Sequence, residues 1–78
     1  MKNNVRSLRK LRQLSQPLLA ARVRVSSTTI DAIEKERFIP SIQLAYRIAN
    51  ALAASILEVF PPEPLQSRPI ASKESVRP

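Results

Sequence analysis

The sequence predicts an all-α domain of five short helices over residues 1–60, followed by a proline-rich tail over residues 61–78. Apolar residues recur every three or four positions rather than at alternate positions, which is the period of one helix face. Serines that can cap helices precede several of these segments. Five of the seven prolines come after residue 60. At 78 residues the chain is long enough for one small domain.

The first helix is predicted from its apolar spacing and from an asparagine cap. Asn3 or Asn4 can accept a hydrogen bond from an unpaired N–H group at the start of the helix. Three apolar residues then recur at helical spacing: Val5, Leu8 and Leu11. Basic side chains cover the remaining faces, and we expect the helix to end near Gln13.

The second helix begins after Ser15, a good N-cap, and runs from Gln16 to Val23. Pro17 lies in its first turn, where the missing N–H group would have had no partner inside the helix. The residues expected to be buried are Leu19, Ala20 and Val23. The chain must then reverse at Arg24 and Val25 without glycine, the residue that enters left-handed conformations most easily.

The third helix is capped by Ser26 and reaches about Lys35. Ile30 and Ile33 mark its inner face. Its outer face carries small or short side chains: Ser27, Thr28, Asp31 and Ala32. This face therefore has no apolar stripe to bury against the domain.

Pro40 interrupts the pattern, because it disfavours the helical conformation of the residue before it. Ser41 caps a fourth helix, whose apolar stripe comprises Leu44, Ile48, Ala51 and Leu52. Ser55 caps a last helix, Ile56 to Phe60, which stops at the following proline pair. Residues 61–78 have no apolar period, so we expect them to be extended or disordered.

The charge of the chain indicates a polyanionic partner. Thirteen Lys and Arg against six Asp and Glu give a net charge of +7, and residues 1–24 hold seven bases and no acid. Phosphates attract such a surface because each one neutralised releases condensed counterions. A merely solvated basic surface is the alternative. Binding to a membrane surface is a third option, which the near absence of aromatic anchors disfavours.

Composition also excludes several classes of protein. There are no cysteines and no histidines, which removes the commonest metal ligands and the usual general base. We therefore expect no cofactor and no enzymatic activity. No apolar stretch is long enough to span a bilayer, and no signal-peptide core follows the basic start. These observations predict a cytoplasmic protein.

Two short helices joined by a tight turn, the second beginning with small polar side chains, form the arrangement that sets a helix in the DNA major groove. Over residues 5–60 the chain resembles the Cro/C1-type helix-turn-helix domain, also called the phage-repressor or XRE family. The matching residues in chain order are Leu8-Arg9, Ser15-Gln16, Leu19-Ala20, Val25-Ser26, Ile30, Ile33-Glu34, Pro40-Ser41, Ile48-Ala49, Ala51-Leu52 and Ile56 to Phe60. The resemblance implies a five-helix lambda-repressor-like fold that binds double-stranded DNA.

Members of this family commonly carry glycine at four positions that are filled here by Gln13, Arg24, Glu36 and Ala53. We expect Arg24 to be left-handed at a steric cost of roughly 1–2 kcal/mol. Its positive charge at the negative end of the helix dipole offsets part of this cost. The guanidinium would then add to the basic surface at the corner.

The resemblance implies that the first turn of the third helix faces the bases. The candidates for base contact are Ser27, Thr28 and Thr29, with Asp31 and Ala32 further along and Ser26 acting mainly as a cap. Hydroxyl groups donate to or accept from several base edges, and methyl groups touch the thymine methyl. Without a strong bidentate reader, we expect DNA shape and bendability to contribute much of the selectivity.

Other residues are assigned by the same resemblance. Gln16 matches the family residue that fixes the start of the second helix against a phosphate. Arg9 matches an arginine that often pairs with the glutamate here numbered Glu34. The further candidates for phosphate contact are Arg24, Lys35 and Arg37, with plain solvated charge as the alternative for the last two. Arg6, Lys10 and Arg12 are expected to provide only long-range attraction and solubility.

Sequence-specific proteins of this kind usually dimerise, so that two recognition helices enter grooves roughly 34 Å apart. We expect a homodimer in which Leu57 or Phe60 meets the partner chain, although these residues could instead close the monomer core. The leading hypothesis is a transcription regulator, for example a repressor, that occupies a palindromic operator. The alternative is an antitoxin or adaptor whose tail, residues 61–78, binds a partner protein.

Overall fold

The computed structural model describes residues 2–62, which form five helices and, within that range, no strand. The helices are α1 (Val5–Leu11), α2 (Gln16–Val23), α3 (Ser27–Glu34), α4 (Ile42–Ala51) and α5 (Ile56–Val59). The predicted all-α class is confirmed. Helices α1, α3 and α5 each end slightly earlier than the sequence predicted, because the last residues form the caps. Most of the predicted tail, residues 63–78, lies outside the described residues.

Four serines cap four of the helices, as predicted. Each hydroxyl accepts a hydrogen bond from the N–H group three residues later: Ser15 from Leu18, Ser26 from Thr29, Ser41 from Leu44 and Ser55 from Glu58. The Glu58 carboxylate also accepts from the Ser55 N–H at 2.9 Å, which completes a capping box. At α1, Asn4 occupies the cap position, but it is the Asn3 side chain that accepts from Val5 N at 3.1 Å.

Helices α1 to α4 are each followed by a left-handed residue, and none of the four is glycine. The φ angles are 61° at Gln13, 65° at Arg24, 63° at Glu36 and 53° at Ala53. The next residue at each corner donates its N–H to a carbonyl five residues back, at 2.9–3.0 Å: Leu14 to Arg9, Val25 to Ala20, Arg37 to Ala32 and Ala54 to Ala49. These bonds define Schellman motifs, which satisfy helix carbonyls that would otherwise lack a partner.

The core lies between the inner faces of the helices. Its largest fully buried side chains are Leu19, Ile30, Ile33, Ile48, Leu52, Val5, Val23 and Val59. The stripes predicted for α2, α3 and α4 are buried except for Ala51, which is partly exposed. Leu11 departs from the expected spacing, because it lies at the end of α1 and is 67% exposed. Within residues 2–62, no helix has both the length and the hydropathy needed to cross a membrane.

Arg12 has a structural role that the sequence analysis missed. Its Nε donates to the Leu52 carbonyl oxygen at 2.8 Å, and its Nη2 donates to the Ala53 carbonyl oxygen at 3.3 Å. The guanidinium therefore binds the carbonyls at the end of α4, where the helix dipole favours a cation. The expectation that Arg12 provides only solubility and long-range attraction is wrong.

Replacing Arg24 with glycine should leave the thermal stability unchanged or raise it, by up to about 1 kcal/mol, because glycine removes the side-chain clash of the left-handed conformation. If the resemblance to the helix-turn-helix family holds, the same change should also weaken DNA binding, because it removes one exposed positive charge. Ala53→Gly is the matched control, since it relieves the same backbone conformation without changing charge. Thermal unfolding and DNA titration of both variants measure the two effects. A clear loss of stability in Arg24→Gly would contradict the assignment of strain to this corner.

Candidate nucleic-acid interface

The outer face of α3 is open to solvent in the single chain. Thr28 is exposed, and partial exposure is shared by Ser27, Asp31 and Ala32, while Ile30 and Ile33 are fully buried behind them. Thr28, Asp31 and Lys35 follow one another at spacings of three and four residues, so they share one side of the helix. The predicted face is therefore available to a ligand.

Two of the predicted hydroxyl contacts are already engaged within the chain. The Ser26 hydroxyl caps α3, and it lies 3.0 Å from the Thr29 hydroxyl. Thr29 is also half-buried. The hydroxyls best placed to meet a partner are therefore those of Ser27 and Thr28, at the exposed start of the helix.

A buried ion pair joins α1 to the end of α3. Arg9 Nε donates to Glu34 Oε2 at 2.7 Å and Arg9 Nη2 to Glu34 Oε1 at 3.3 Å, with 11% and 4% of the two side chains exposed. Arg9 Nη1 also donates to the Leu14 carbonyl oxygen at 2.9 Å. The pairing that the resemblance implied is confirmed, and it connects α1, the following turn and α3.

Gln16 extends this network from α2. Its Nε2 donates to Glu34 Oε1 at 3.0 Å and to Asp31 Oδ1 at 3.1 Å. Both N–H bonds of the amide are therefore used inside the protein. The phosphate contact that the resemblance implies for this side chain would require one of these two bonds to be exchanged.

Asp31 is held between two donors. Gln16 binds Oδ1, and Lys35 Nζ lies 3.1 Å from Oδ2, in a pair whose side chains are 40% and 55% exposed. The hydrogen bond from Gln16, followed by that from Lys35, lowers the pKa of Asp31 below its ordinary value of 3.8. These contacts stabilise the fold above that value, and the contribution is lost as the pH falls through the lowered pKa. Asp31 is thus anionic at neutral pH.

An open polar pocket of about 260 Å³ lies where α1, α2 and α3 meet, lined by Arg6, Arg9, Gln16, Asp31, Glu34 and Lys35. Arg6, which the sequence predicts to provide only long-range attraction and solubility, lines the same pocket as the predicted phosphate-binding Lys35. The sequence could have predicted this position, because Arg6 lies one turn before Arg9 on α1 and therefore on the same side of that helix. Arg24 and Arg37 are both exposed, at the corners that follow α2 and α3.

The two residues predicted to meet a partner chain differ in exposure. Leu57 is 65% exposed, whereas Phe60 is 6% exposed and belongs to the core. Phe60 therefore offers a partner little surface of its own. It does line an apolar groove of about 400 Å³, formed by Ile39, Pro40, Ile42, Ala45, Tyr46, Ile56 and Phe60. Ile42 is 76% exposed there and Ile39 67%. This groove was not predicted from the sequence.

A small all-α domain in which a tight turn sets a capped, outward-facing helix after another helix of the same length is typical of a helix-turn-helix DNA-binding domain. The helix-turn-helix family profile matches residues 5–59. The chain belongs to the Cro/C1-type helix-turn-helix family. Members of this family are non-enzymatic DNA-binding proteins, as the absence of a catalytic constellation in the sequence led us to expect.

Several relatives match most of the chain. It is 42% identical over 60 residues to an uncharacterized HTH-type transcriptional regulator of Methanocaldococcus jannaschii, covering 77% of this chain and 91% of that protein. A similarly named protein of Methanothermobacter thermautotrophicus is 47% identical over 58 residues, covering 74% and 84%. YgzD of Bacillus subtilis, also named an HTH-type transcriptional regulator, is 40% identical over 60 residues, covering 77% and 91%.

Glu34→Gln should lower the free energy of unfolding by roughly 3–5 kcal/mol, because it leaves the buried Arg9 charge without its counterion. Lys35→Met is the comparison, since it removes an exposed ion pair and should cost no more than about 1 kcal/mol. Urea unfolding measures both changes. Equal and small losses in the two variants would show that the buried pair does not hold α1 against α3.

Proposed function

We propose that the chain is a transcription regulator that binds an inverted repeat in double-stranded DNA as a homodimer. The observation that carries the proposal is the outer face of α3, where short polar side chains are open to solvent while Ile30 and Ile33 hold the helix from behind. The names of the relatives, which are HTH-type transcriptional regulators, support the same function. We propose the cytoplasm as its site of action.

Basic groups around this face supply the attraction to DNA. Arg24 is exposed at the corner before α3, Arg37 is exposed after it, and Arg6 lies with Lys35 at the polar pocket. We propose that these four side chains contact phosphates. Gln16 contributes to phosphate binding through its backbone N–H group at the start of α2, where an anion is favoured. Its side-chain amide already donates hydrogen bonds to Asp31 and Glu34.

Base contacts come from the exposed start and middle of α3. The hydroxyls of Ser27 and Thr28 bind either donors or acceptors on base edges, and the methyl group of Ala32 can pack against a thymine methyl. Such contacts discriminate weakly. We therefore propose that much of the selectivity arises from the sequence-dependent shape of the duplex.

Dimerisation is supported by apolar surface on two sides of α5. Leu57 lies beside Leu8 on one side, and the apolar groove lies on the other. Exposed apolar patches of this kind commonly mark an interaction site. We propose that a second copy of the chain covers it, with Leu57 and Ile42 as direct contacts and Phe60 as the floor of the groove.

Selection of bound sequences from random duplex DNA should recover an inverted repeat. Affinity for it should fall about a thousandfold or more between 50 and 200 mM salt if the dimer neutralises about six phosphates.

Ile42→Gln and Leu57→Gln should each shift the protein toward monomer in sedimentation experiments and weaken operator binding. Leu11→Gln is the control, because Leu11 is similarly exposed but lines neither the apolar groove nor the surface beside Leu57.

The absence of an enriched sequence together with a flat salt dependence would overturn the regulator proposal. Unchanged dimerisation in both Ile42→Gln and Leu57→Gln would overturn the proposed interface alone.

Ending the chain after Pro62 tests the alternative of an antitoxin or adaptor that acts through its tail. Operator binding should survive this truncation, whereas a function that depends on the tail would lose its protein partner.

A further inference from the structure

Asp31 differs chemically from every other exposed group on the outer face of α3. Ser27 and Thr28 carry hydroxyls that both donate and accept hydrogen bonds, and Ala32 carries only a methyl group. A carboxylate only accepts. Glu34, the other acid of the helix, is 4% exposed and paired with Arg9, so it is not available to a ligand. Among the described residues of this face, Asp31 is the exposed group that only accepts hydrogen bonds, whereas Lys35 only donates them.

The position of Asp31 is fixed by its neighbours. Gln16 holds Oδ1 from α2, and Lys35 holds Oδ2 from one turn further along α3. A carboxylate has about four lone-pair sites, so each oxygen keeps capacity for another donor. The side chain remains 40% exposed. The result is an oriented acceptor on the side of the helix that it shares with Thr28.

In the major groove, only two bases offer a hydrogen-bond donor to such an acceptor. Cytosine presents the N4 amino group, and adenine presents the N6 amino group next to the N7 acceptor. Guanine and thymine present acceptors, which repel a carboxylate. The adjacent N7 also makes adenine the poorer partner. An oriented carboxylate in this groove therefore favours cytosine.

We propose that Asp31 is a specificity-determining residue that selects cytosine at one position of each half-site by accepting a hydrogen bond from its N4 amino group. This inference rests on the proposed function, since it concerns the base read by the same helix. Gln16 and Lys35 act as positioning residues: both orient the carboxylate, and the charge of Lys35 partly neutralises it. The engaged amide of Gln16 thereby serves base selection rather than a phosphate contact.

The test compares the sequences selected from random duplex DNA by the wild-type chain, Asp31→Asn and Asp31→Ala at one salt concentration. The wild-type repeat should contain one cytosine per half-site that is preferred about tenfold, within the range of a good base contact. Both variants should reduce that preference to less than about twofold and leave the other positions unchanged. The reason is that the amide of Asn donates hydrogen bonds as well as accepting them, whereas the Ala side chain neither donates nor accepts.

Glu36→Gln is the matched control. It makes the same change of charge on an exposed acid two residues beyond α3, and it should leave the cytosine preference intact. Circular dichroism and thermal unfolding establish that each variant is folded. If Asp31→Asn and Asp31→Ala both select the same repeat as the wild-type chain at every position, the role of Asp31 is overturned while the regulator proposal stands. Failure of the wild-type chain to select any sequence would instead overturn the proposed function, and this inference with it.

Discussion

The buried contact between Arg9 and Glu34 ties α1 to the end of α3, the helix whose outer face carries the candidate DNA contacts. Both side chains are almost entirely removed from water, so neither charge is tolerable without the other. The pair ties α1 to the last turn of α3, and Gln16 connects it to Asp31 on the outer face. The interior and the candidate DNA-binding surface are therefore joined by one hydrogen-bonded network, in which the Arg9–Glu34 pair is buried and Asp31 meets solvent.

The four corners show how the family fold is kept without glycine. Gln13, Arg24, Glu36 and Ala53 all adopt the left-handed conformation, at a cost of roughly 1–2 kcal/mol each. The cost is tolerated because each corner satisfies helix carbonyls and returns the chain to the core. At the second corner, the arginine that stands where the family commonly has glycine, Arg24, also places a positive charge next to α3. The strained residue at that corner is thus an exposed cation, which we propose contacts a phosphate.

Local chemistry made much of the fold predictable. A serine before an apolar period predicts a helix cap whatever the tertiary structure, and all four serine caps were predicted in this way. The buried faces of α2 and α3 were predicted from the helical spacing of their apolar residues. Contacts between distant segments were less accessible. The hydrogen bonds of Arg12 to the end of α4, and of Gln16 to two acids, depend on how helices pack. The groove around Ile42 was missed because the residues that form it lie on separate segments.

We propose that DNA meets the side of the protein formed by the start of α2, the Arg24 corner and the outer face of α3. Titration of the ¹⁵N-labelled chain with a selected duplex, followed by amide chemical shifts, tests it directly. The largest changes should fall on residues 15–16, 24–32 and 35–37, with small changes in α5. Changes confined to α4 and α5, with residues 24–32 unaffected, would contradict the account.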